Sequence, residues 1–241
     1  METSLAEPML TVPVRVRKNR RESDDTRTLE LVFDNPGNTP AWRPGQFMML
    51  YAFGAGEIPI SISGDPARRD TIIHTVRAVG DVSRAICEAK PGSAIGVRGP
   101  FGSAWPTDRC EEHDIVLVAG GIGLAPLRPV LYTIMANRSR YTRVSLLVGA
   151  RVPDILLYRG EMDGWREHGI DVRLTPRSMM PNAFKGSAMH PVLSSRWEPA
   201  LQRAVSRRFG TSPTSKNICL SCMPSPSTSP VWRHQQQLLR M

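Results

Sequence analysis

Several features are scarce or missing in this sequence of 241 residues. No apolar run approaches the ~18 residues that a membrane span needs, and the longest, at 115–127, is interrupted by three glycines. Four cysteines do not form a disulfide framework, and the amino terminus lacks the basic and apolar segments of a secretory signal. No residue spacing indicates a metal site or a catalytic triad. We therefore expect a cytoplasmic protein without a membrane span.

The surplus of positive charge is confined to the last part of the chain. Residues 1–175 contain 22 Lys+Arg and 21 Asp+Glu, whereas residues 176–241 contain nine Lys+Arg, one acidic residue and 8 of the 21 prolines. Such a segment either binds polyanions by releasing counterions or buries too little apolar surface to become ordered. The basic residues are scattered and few aromatics lie among them, so we expect the second case and no nucleic-acid partner.

The first half of the chain has the pattern of short strands. Six are predicted, at 12–17, 28–33, 46–51, 58–62, 71–76 and 94–97, with Pro, Gly, Asp and Asn clusters between them. One helix is predicted at 82–89, between Gly80-Asp81 and Pro91-Gly92. Six short strands in so few residues predict a small antiparallel barrel.

From residue 114 onward, apolar strands alternate with helices. Strands are predicted at 114–119, 144–148 and 170–174, and helices at 125–137 and from Asp154 to about His168. This order predicts a parallel βαβαβ unit. We thus expect a barrel domain at 9–107, an incomplete, truncated α/β domain at 108–175 and a poorly ordered basic Pro/Ser-rich tail at 176–241. Three parallel strands would leave an exposed edge, so the α/β domain should be the less stable one.

Three short motifs carry chemistry. The loop Gly120-Gly121-Ile122-Gly123 connects a buried strand to a helix start, where backbone N–H groups and the helix dipole favour a phosphate. Its spacing is not G-x-G-x-x-G, so a simple tight turn stays an alternative. Gly80-Asp81-Val82-Ser83 is a second such helix start, with Arg77 on the preceding strand, or else an ordinary capped helix. In Pro59–Ser63 the strand period places Ser61 and Ser63 on one face, where a hydroxyl can bond a ring nitrogen or simply lie exposed.

Taken in order, these motifs resemble the ferredoxin–NADP reductase-type flavoprotein superfamily, which pairs an FAD-binding antiparallel barrel with a nicotinamide-nucleotide α/β domain. The segments that carry the resemblance are RPGQF (43–47), PISIS (59–63), VRAVGDVSRAI (76–86), VRGPFGSAW (97–105), VLVAGGIGLAPL (116–127) and LLVGARVPDILLYRGEM (146–162). The P-I-S-I segment is most similar to the gamma subunits of cytoplasmic nickel–iron hydrogenases of the sulfhydrogenase type, and to the electron-transfer subunits of dihydroorotate dehydrogenase.

The resemblance implies a flavin-dependent electron-transfer subunit, an NAD(P)H-dependent oxidoreductase with the cofactors FAD and NADP or NAD. Its partners would be iron–sulfur and hydrogenase or dehydrogenase subunits. Two alternatives stay open: a stand-alone NAD(P)H-dependent flavin or oxygenase reductase, and a non-catalytic, truncated reductase.

The resemblance also implies roles for individual residues. Pro59, Ile60 and Ser61 would contact the isoalloxazine ring, with the Ser61 hydroxyl near flavin N5, where a donor tunes redox behaviour. The FAD chain would be lined by His74, Val76 and Arg77, and its pyrophosphate held by Gly80, Val82 and Ser83. The nicotinamide nucleotide would meet Gly120, Gly121, Ile122 and Gly123. Arg151 would pair with a ribose 2′-phosphate, which favours NADP, or is a solvated loop charge.

The chain departs from the family pattern at two places. Many members carry Arg-x-Tyr/Phe-Ser/Thr where this chain has Ile58, Pro59, Ile60 and Ser61, so FAD affinity should depend more on the helix start at 80–83. Neither the family's Cys-Gly-Pro segment nor its C-terminal cysteine cluster occurs. A [2Fe–2S] centre needs about four thiolates, and Cys219 and Cys222 form the single C-x-x-C, so no metal site is expected.

Overall fold

The computed structural model describes residues 10–150, 152–176 and 217–222, which form ten strands and three α-helices. These elements separate into two compact units. The first consists of the described residues up to Pro106 together with Ala125–Ala136 and Asp154–Tyr158. The second consists of the described residues of Thr107–Leu124, Asn137–Pro153 and the part of the chain from Arg159 onward. The first unit is thus built from three separate stretches of sequence.

Six antiparallel strands make up most of the first unit: β1 (Val12–Arg21), β2 (Thr26–Val32), β3 (Phe47–Ala52), β4 (Gly56–Ser61), β5 (Ile72–Arg77) and β6 (Ala94–Phe101). Their order is β4-β3-β6-β1-β2-β5. The two outermost strands meet, because Ile62 pairs with His74 and the Ser63 N–H donates to the Ile73 carbonyl at 2.8 Å. The predicted six-stranded barrel is therefore confirmed.

Alternating side chains fill the barrel. On β1, Val14 and Val16 are buried while Arg15 is exposed, as the two-residue period of a strand requires. The helix α1 (Asp81–Glu88) covers the barrel and buries Ile86 in the same cluster. Each fully buried aliphatic side chain of this kind contributes ~1.5–3 kcal/mol relative to an exposed one.

The turn before β3 depends on a glycine. Gly45 has φ +102°, and a Cβ there would lie 2.8 Å from Cδ1 and 2.9 Å from the main-chain nitrogen of Trp105. The Trp105 N–H also donates to the Pro44 carbonyl at 2.7 Å. The two sequence motifs at 43–47 and 97–105 are thus packed directly against each other.

A parallel sheet organises the second unit. Its strands are β7 (Asp114–Gly120), β8 (Val144–Ala150), β9 (Ile170–Pro176) and β10 (Asn217–Cys222), in the order β10-β7-β8-β9. The predicted α/β class is confirmed, since helix α2 (Leu124–Ala136) links β7 to β8 and helix α3 (Met162–Glu167) lies between β8 and β9. Among the described residues, no helix is both long and apolar enough to cross a membrane.

β10 was not predicted. It pairs with β7 from Asn217↔Asp114 to Cys222↔Ala119, so β7 is an inner strand and the described sheet has four strands where three were expected. Its six residues lie in a segment whose Pro, Ser and Arg content indicated no strand, because pairing with β7, rather than local propensity, defines it. The rest of the expected poorly ordered tail lies outside the described residues.

The helix between β8 and β9 is shorter than predicted. A helix was expected from Asp154 to about His168, but α3 begins at Met162, after two 3₁₀ turns at Pro153–Ile155 and Arg159–Glu161. Tyr158 between those turns has φ +55°, a left-handed conformation that bulky side chains rarely adopt. An α-helix cannot continue through such a residue.

Candidate functional site

The side chains of β4 alternate between two faces, and all six of its residues are half-buried. β4 pairs with β3 so that Ile60 lies opposite Met48 and Ile58 opposite Leu50, and both of these β3 residues are buried in the barrel core. Ile60 therefore points into the barrel, whereas the half-buried Pro59 and Ser61 point away from it. Of the three residues expected at a flavin ring, two are thus presented outward.

β5 shows the same alternation. His74 and Val76 are both 0% exposed, and they lie opposite Leu29 and Arg27 of β2. Their side chains point into the barrel, so only their main chains are available to a ligand outside it. Arg77 is exposed, and its guanidinium donates to the Asp25 carboxylate at 2.6 Å. Thr75 points to the same side of β5 as Arg77. The sequence analysis did not include Thr75 among the site residues, although the two-residue period of a strand would have indicated it.

The Ser83 side chain caps the start of α1 by forming hydrogen bonds with nearby backbone groups. The Ser83 hydroxyl accepts hydrogen bonds from the N–H groups of Val79 and Gly80 and donates one to the Gly80 carbonyl, each at 2.9 Å. The hydroxyl is therefore engaged in capping. The N–H groups of Asp81 and Val82 begin the helix and have no acceptor within it, so they are the donors that this helix start offers to an anion.

β4, β5 and α1 meet along one surface. At one end, Ile62 pairs with His74; at the other, Gly56 lies so close to Val82 that a Cβ would be 3.4 Å from its side chain. We call the surface formed by Pro59, Ser61, Thr75, Arg77 and the first turn of α1 the outer face. The first unit thus brings the PISIS segment, the end of β5 and the Gly80 turn together.

His74 supports this surface from inside the barrel. Its Nδ1 lies 3.1 Å from the Ser61 carbonyl oxygen, and since a carbonyl only accepts, Nδ1 carries the hydrogen. Burial lowers the pKa of His74 to about 4, so the ring is neutral near pH 7. Its Nε2 is then an acceptor, and it has no hydrogen-bond partner within the part of the chain that the structure describes.

A buried polar cluster covers part of the outer face. The Thr75 hydroxyl lies 2.6 Å from the Tyr158 hydroxyl, 2.9 Å from Thr28 Oγ1 and 3.0 Å from Ser63 Oγ. Arg128 of α2 donates from Nη1 to the Ser63 carbonyl at 3.0 Å, and its guanidinium lies 4.3 Å from the Tyr158 ring centre. Burial raises the pKa of Tyr158, which keeps the phenol protonated and able to donate.

The glycine loop of the second unit lies at the carboxyl end of β7. Gly120 ends the strand, Gly121–Gly123 form a 3₁₀ turn, and α2 begins at Leu124. Gly121 has φ +53°, and a Cβ there would meet no described atom within 4 Å. The backbone of Gly121 and half-buried Ile122 is therefore open to a ligand.

The order of the strands also favours this loop. From β7 the chain proceeds to β8 on one side, while β10 pairs on the other, and parallel α/β sheets bind ligands at the carboxyl ends beside such a switch point. Arg151, the expected 2′-phosphate contact, lies outside the described residues, so the preference for NADP stays a prediction. Among the described side chains, no group of three or more His, Cys, Asp or Glu is arranged to hold a metal ion.

Parts of this chain are similar to known proteins. Residues 117–190 match the family described as an oxidoreductase NAD-binding domain. The chain is 36% identical over 137 residues to the sulfhydrogenase 1 gamma subunit of Pyrococcus furiosus. The aligned region covers 56% of this chain and 47% of that protein. It is 38% identical over 121 residues to a probable dihydroorotate dehydrogenase B (NAD(+)) electron transfer subunit of Archaeoglobus fulgidus, over 50% and 46% of the two chains. The chain thus spans about half the length of these relatives.

Solved structures show the same fold at low sequence identity. Phthalate dioxygenase reductase superposes with a TM-score of 0.63 at 19% identity, over 88% of this chain and 68% of that one. The cytochrome b5 reductase domain of Ulva prolifera nitrate reductase gives a TM-score of 0.64 at 17% identity, over 92% of this chain and 89% of that one.

Proposed function

We propose that the chain, which resembles the ferredoxin–NADP reductase-type flavoprotein superfamily, is a flavin-dependent electron-transfer subunit that binds FAD on the outer face. One observation carries the proposal: β4, β5 and α1 place the Ser61 hydroxyl, the Arg77 guanidinium and a helix N-terminus along one surface of the first unit. The flavin ring would lie beside Ser61, and the diphosphate would lie beside Arg77 and the helix N-terminus.

The residues present fit such a cofactor. The N–H groups of Asp81 and Val82 would hold the diphosphate, helped by the positive end of the α1 dipole. Arg77 would exchange its exposed contact with Asp25 for a charge-assisted bond to a phosphate. Pro59 would pack against the flavin ring, and the Ser61 hydroxyl would bond near its N5 position. Ile60, His74 and Val76 would contribute main-chain contacts only.

The second unit would bind the nicotinamide nucleotide. Gly120–Gly123 would approach the pyrophosphate through their backbone, because glycines place no side chain in the way. Bound FAD would accept a hydride from NAD(P)H and pass its electrons on singly. The chain's own contribution is to place the two nucleotides and to exclude competing reactions.

The partners would be iron–sulfur and hydrogenase or dehydrogenase subunits in the cytoplasm. This part of the proposal is supported by the sulfhydrogenase and dihydroorotate dehydrogenase relatives, which are named as subunits of such enzymes. A stand-alone reductase would instead reduce free flavin or an oxygenase at full rate without hydrogenase or dehydrogenase subunits.

The visible spectrum of the purified full chain tests the proposal. We expect the protein to take up FAD, to become yellow and to be bleached by NADPH or NADH in the absence of oxygen. A protein that binds no FAD would contradict it and would favour a non-catalytic role.

A pair of variants tests the binding surface. Arg77→Gln should weaken FAD binding about tenfold, because it removes a charge-assisted hydrogen bond to phosphate. Arg15→Gln is the matched control, since Arg15 also forms an exposed ion pair, with Asp34 at 3.0 Å, but lies on β1. Equal FAD affinities for the two variants, measured by fluorescence titration, would place the phosphate elsewhere.

A further inference from the structure

The main chain just after β4 is held in an unusual way. The regular pairing of β4 with β3 ends at Ser61. Beyond it, the Ile62 N–H donates to the Gln46 carbonyl at 3.0 Å and the Ser63 N–H to the Ile73 carbonyl at 2.8 Å. The carbonyls of Ser61 and Ser63 also lie within hydrogen-bond distance of two side chains, those of His74 and Arg128. These two side chains reinforce the bridge between Ile62 and His74.

His74 acts from the barrel interior. Its Nδ1–H binds the Ser61 carbonyl at 3.1 Å, but its Nε2 is left without a partner among the described residues. An unpaired acceptor in a core is destabilising, and an apolar side chain of similar size would avoid that cost. Stability alone therefore does not account for a histidine at this position, whereas a donor aimed at Ser61 does.

Arg128 acts from the opposite side of the strand. It is only 6% exposed, it binds the Ser63 carbonyl, and its guanidinium lies over the rings of Tyr158 at 4.3 Å and Tyr132 at 5.2 Å. Tyr158 in turn adopts the rare φ of +55°. Strained conformations of this kind persist where the surroundings fix them, and they cluster at functional sites. A buried cation thus binds the Ser63 carbonyl and packs against a strained aromatic residue.

We infer that His74 and Arg128 are positioning residues that fix the main chain of Ser61–Ser63 from opposite sides and so hold the Ser61 hydroxyl in one orientation. This inference rests on the proposed place of Ser61 beside the flavin ring. It gives His74 a role different from the one that the sequence suggested, because the side chain acts on Ser61 and does not line the cofactor.

The test uses the full chain loaded with FAD. His74→Leu and Arg128→Met remove one donor each, while His74→Asn and Arg128→Lys retain an N–H at a similar distance. Displacements of about 1 Å cost up to ~100-fold in rate, so we expect the first two variants to reduce flavin at least tenfold more slowly and to shift its midpoint potential. The asparagine variant should recover most of the rate.

A control separates positioning from stability. Asn19 is also partly buried and donates from Nδ2 to two main-chain carbonyls, those of Cys87 and Ala89, both at 2.8 Å, near the end of α1 and not near Ser61. Asn19→Leu should lower the melting temperature but leave the reduction rate and the midpoint potential unchanged.

Three outcomes would overturn the inference. The first is a wild-type rate and potential in His74→Leu and Arg128→Met. The second is an Asn19→Leu variant that is as slow as they are, which would make the effect one of general stability. The third is a slow His74→Asn variant. If the leucine variant does not fold, His74→Gln, whose N–H lies one carbon further from the backbone, replaces it. A wild-type protein that binds no FAD would refute the proposed function itself.

Discussion

Acidification should weaken the first unit through His74, and the size of the effect follows from its environment. Burial lowers the pKa of this side chain from the ordinary value of 6.5 to about 4 in the folded protein. The folded state therefore favours the neutral ring. Between pH 6.5 and pH 4 the unfolded chain binds a proton that the folded chain does not, so stability falls as the pH falls.

The two pKa values set the magnitude. They differ by about 2.5, which corresponds to about 3 kcal/mol at about 1.4 kcal/mol per pH unit. The full contribution is present above pH 6.5 and is lost below pH 4. At pH 5 the loss should already be about 2 kcal/mol. A value of this size is a large fraction of the ~5–15 kcal/mol by which domains are stable.

Urea unfolding of the wild type and His74→Gln at several pH values measures this contribution. Other groups titrate in the same range, so the informative quantity is the difference between the two unfolding free energies. We expect that difference to change by about 2 kcal/mol between pH 7.5 and pH 5, in the direction that favours the variant at low pH. His168→Gln, at an exposed position, controls for the loss of any histidine. A difference that stays constant over this range would refute the reasoning.

Three further predictions concern single positions. Gly45→Ala should destabilise the barrel by ~2 kcal/mol or more in thermal melting, because φ is +102° and Trp105 occupies the space of the Cβ. The control Gly92→Ala, with φ +90° but no described atom within 4 Å, should cost only about 1 kcal/mol. Equal losses of stability in the two variants would contradict the steric argument. Gly121→Ala, at φ +53° with no described atom within 4 Å, should cost about 1 kcal/mol in thermal melting, as Gly92→Ala does. It should also weaken NAD(P)H binding about tenfold in a fluorescence titration, because the Cβ would stand where a phosphate approaches the backbone; an unchanged dissociation constant would speak against a nucleotide at this loop. Ile86→Ala should cost ~2–5 kcal/mol in urea unfolding through the cavity it leaves under α1, and a loss under 1 kcal/mol would mean that the barrel closes the cavity.

Much of the fold was predictable because its strands alternate or run fully apolar. All six barrel strands, the helix α1 and the three strands β7, β8 and β9 were anticipated to within a few residues. β10 was not, since pairing with β7 is a tertiary contact that leaves little local signal. The late start of α3 was not predicted, because nothing in the sequence around Tyr158 indicates a left-handed backbone conformation.

The motifs in the sequence indicated which segments form the candidate site, but not which side chains of each strand point outward. Ser61 and Arg77 were anticipated and lie on the outer face, whereas His74 and Val76 were assigned to a ligand although strand alternation turns them inward. Thr75, between them, was overlooked. Arg128 was also missed, because its partner Ser63 is distant in sequence and only the folded chain brings the two together.

The discontinuity of the first unit bears on how the chain is made. Thr28 and Thr75 are synthesised early, but Tyr158, which bonds Thr75 by its hydroxyl and Glu22 by its N–H, leaves the ribosome much later. At about 5–20 residues per second, the stretch from Pro106 to Tyr158 takes several seconds to translate. During that interval the nascent barrel lacks the residues that cover its threonines, so a protein expressed only as far as Pro106 would remain in this uncovered, protease-sensitive form.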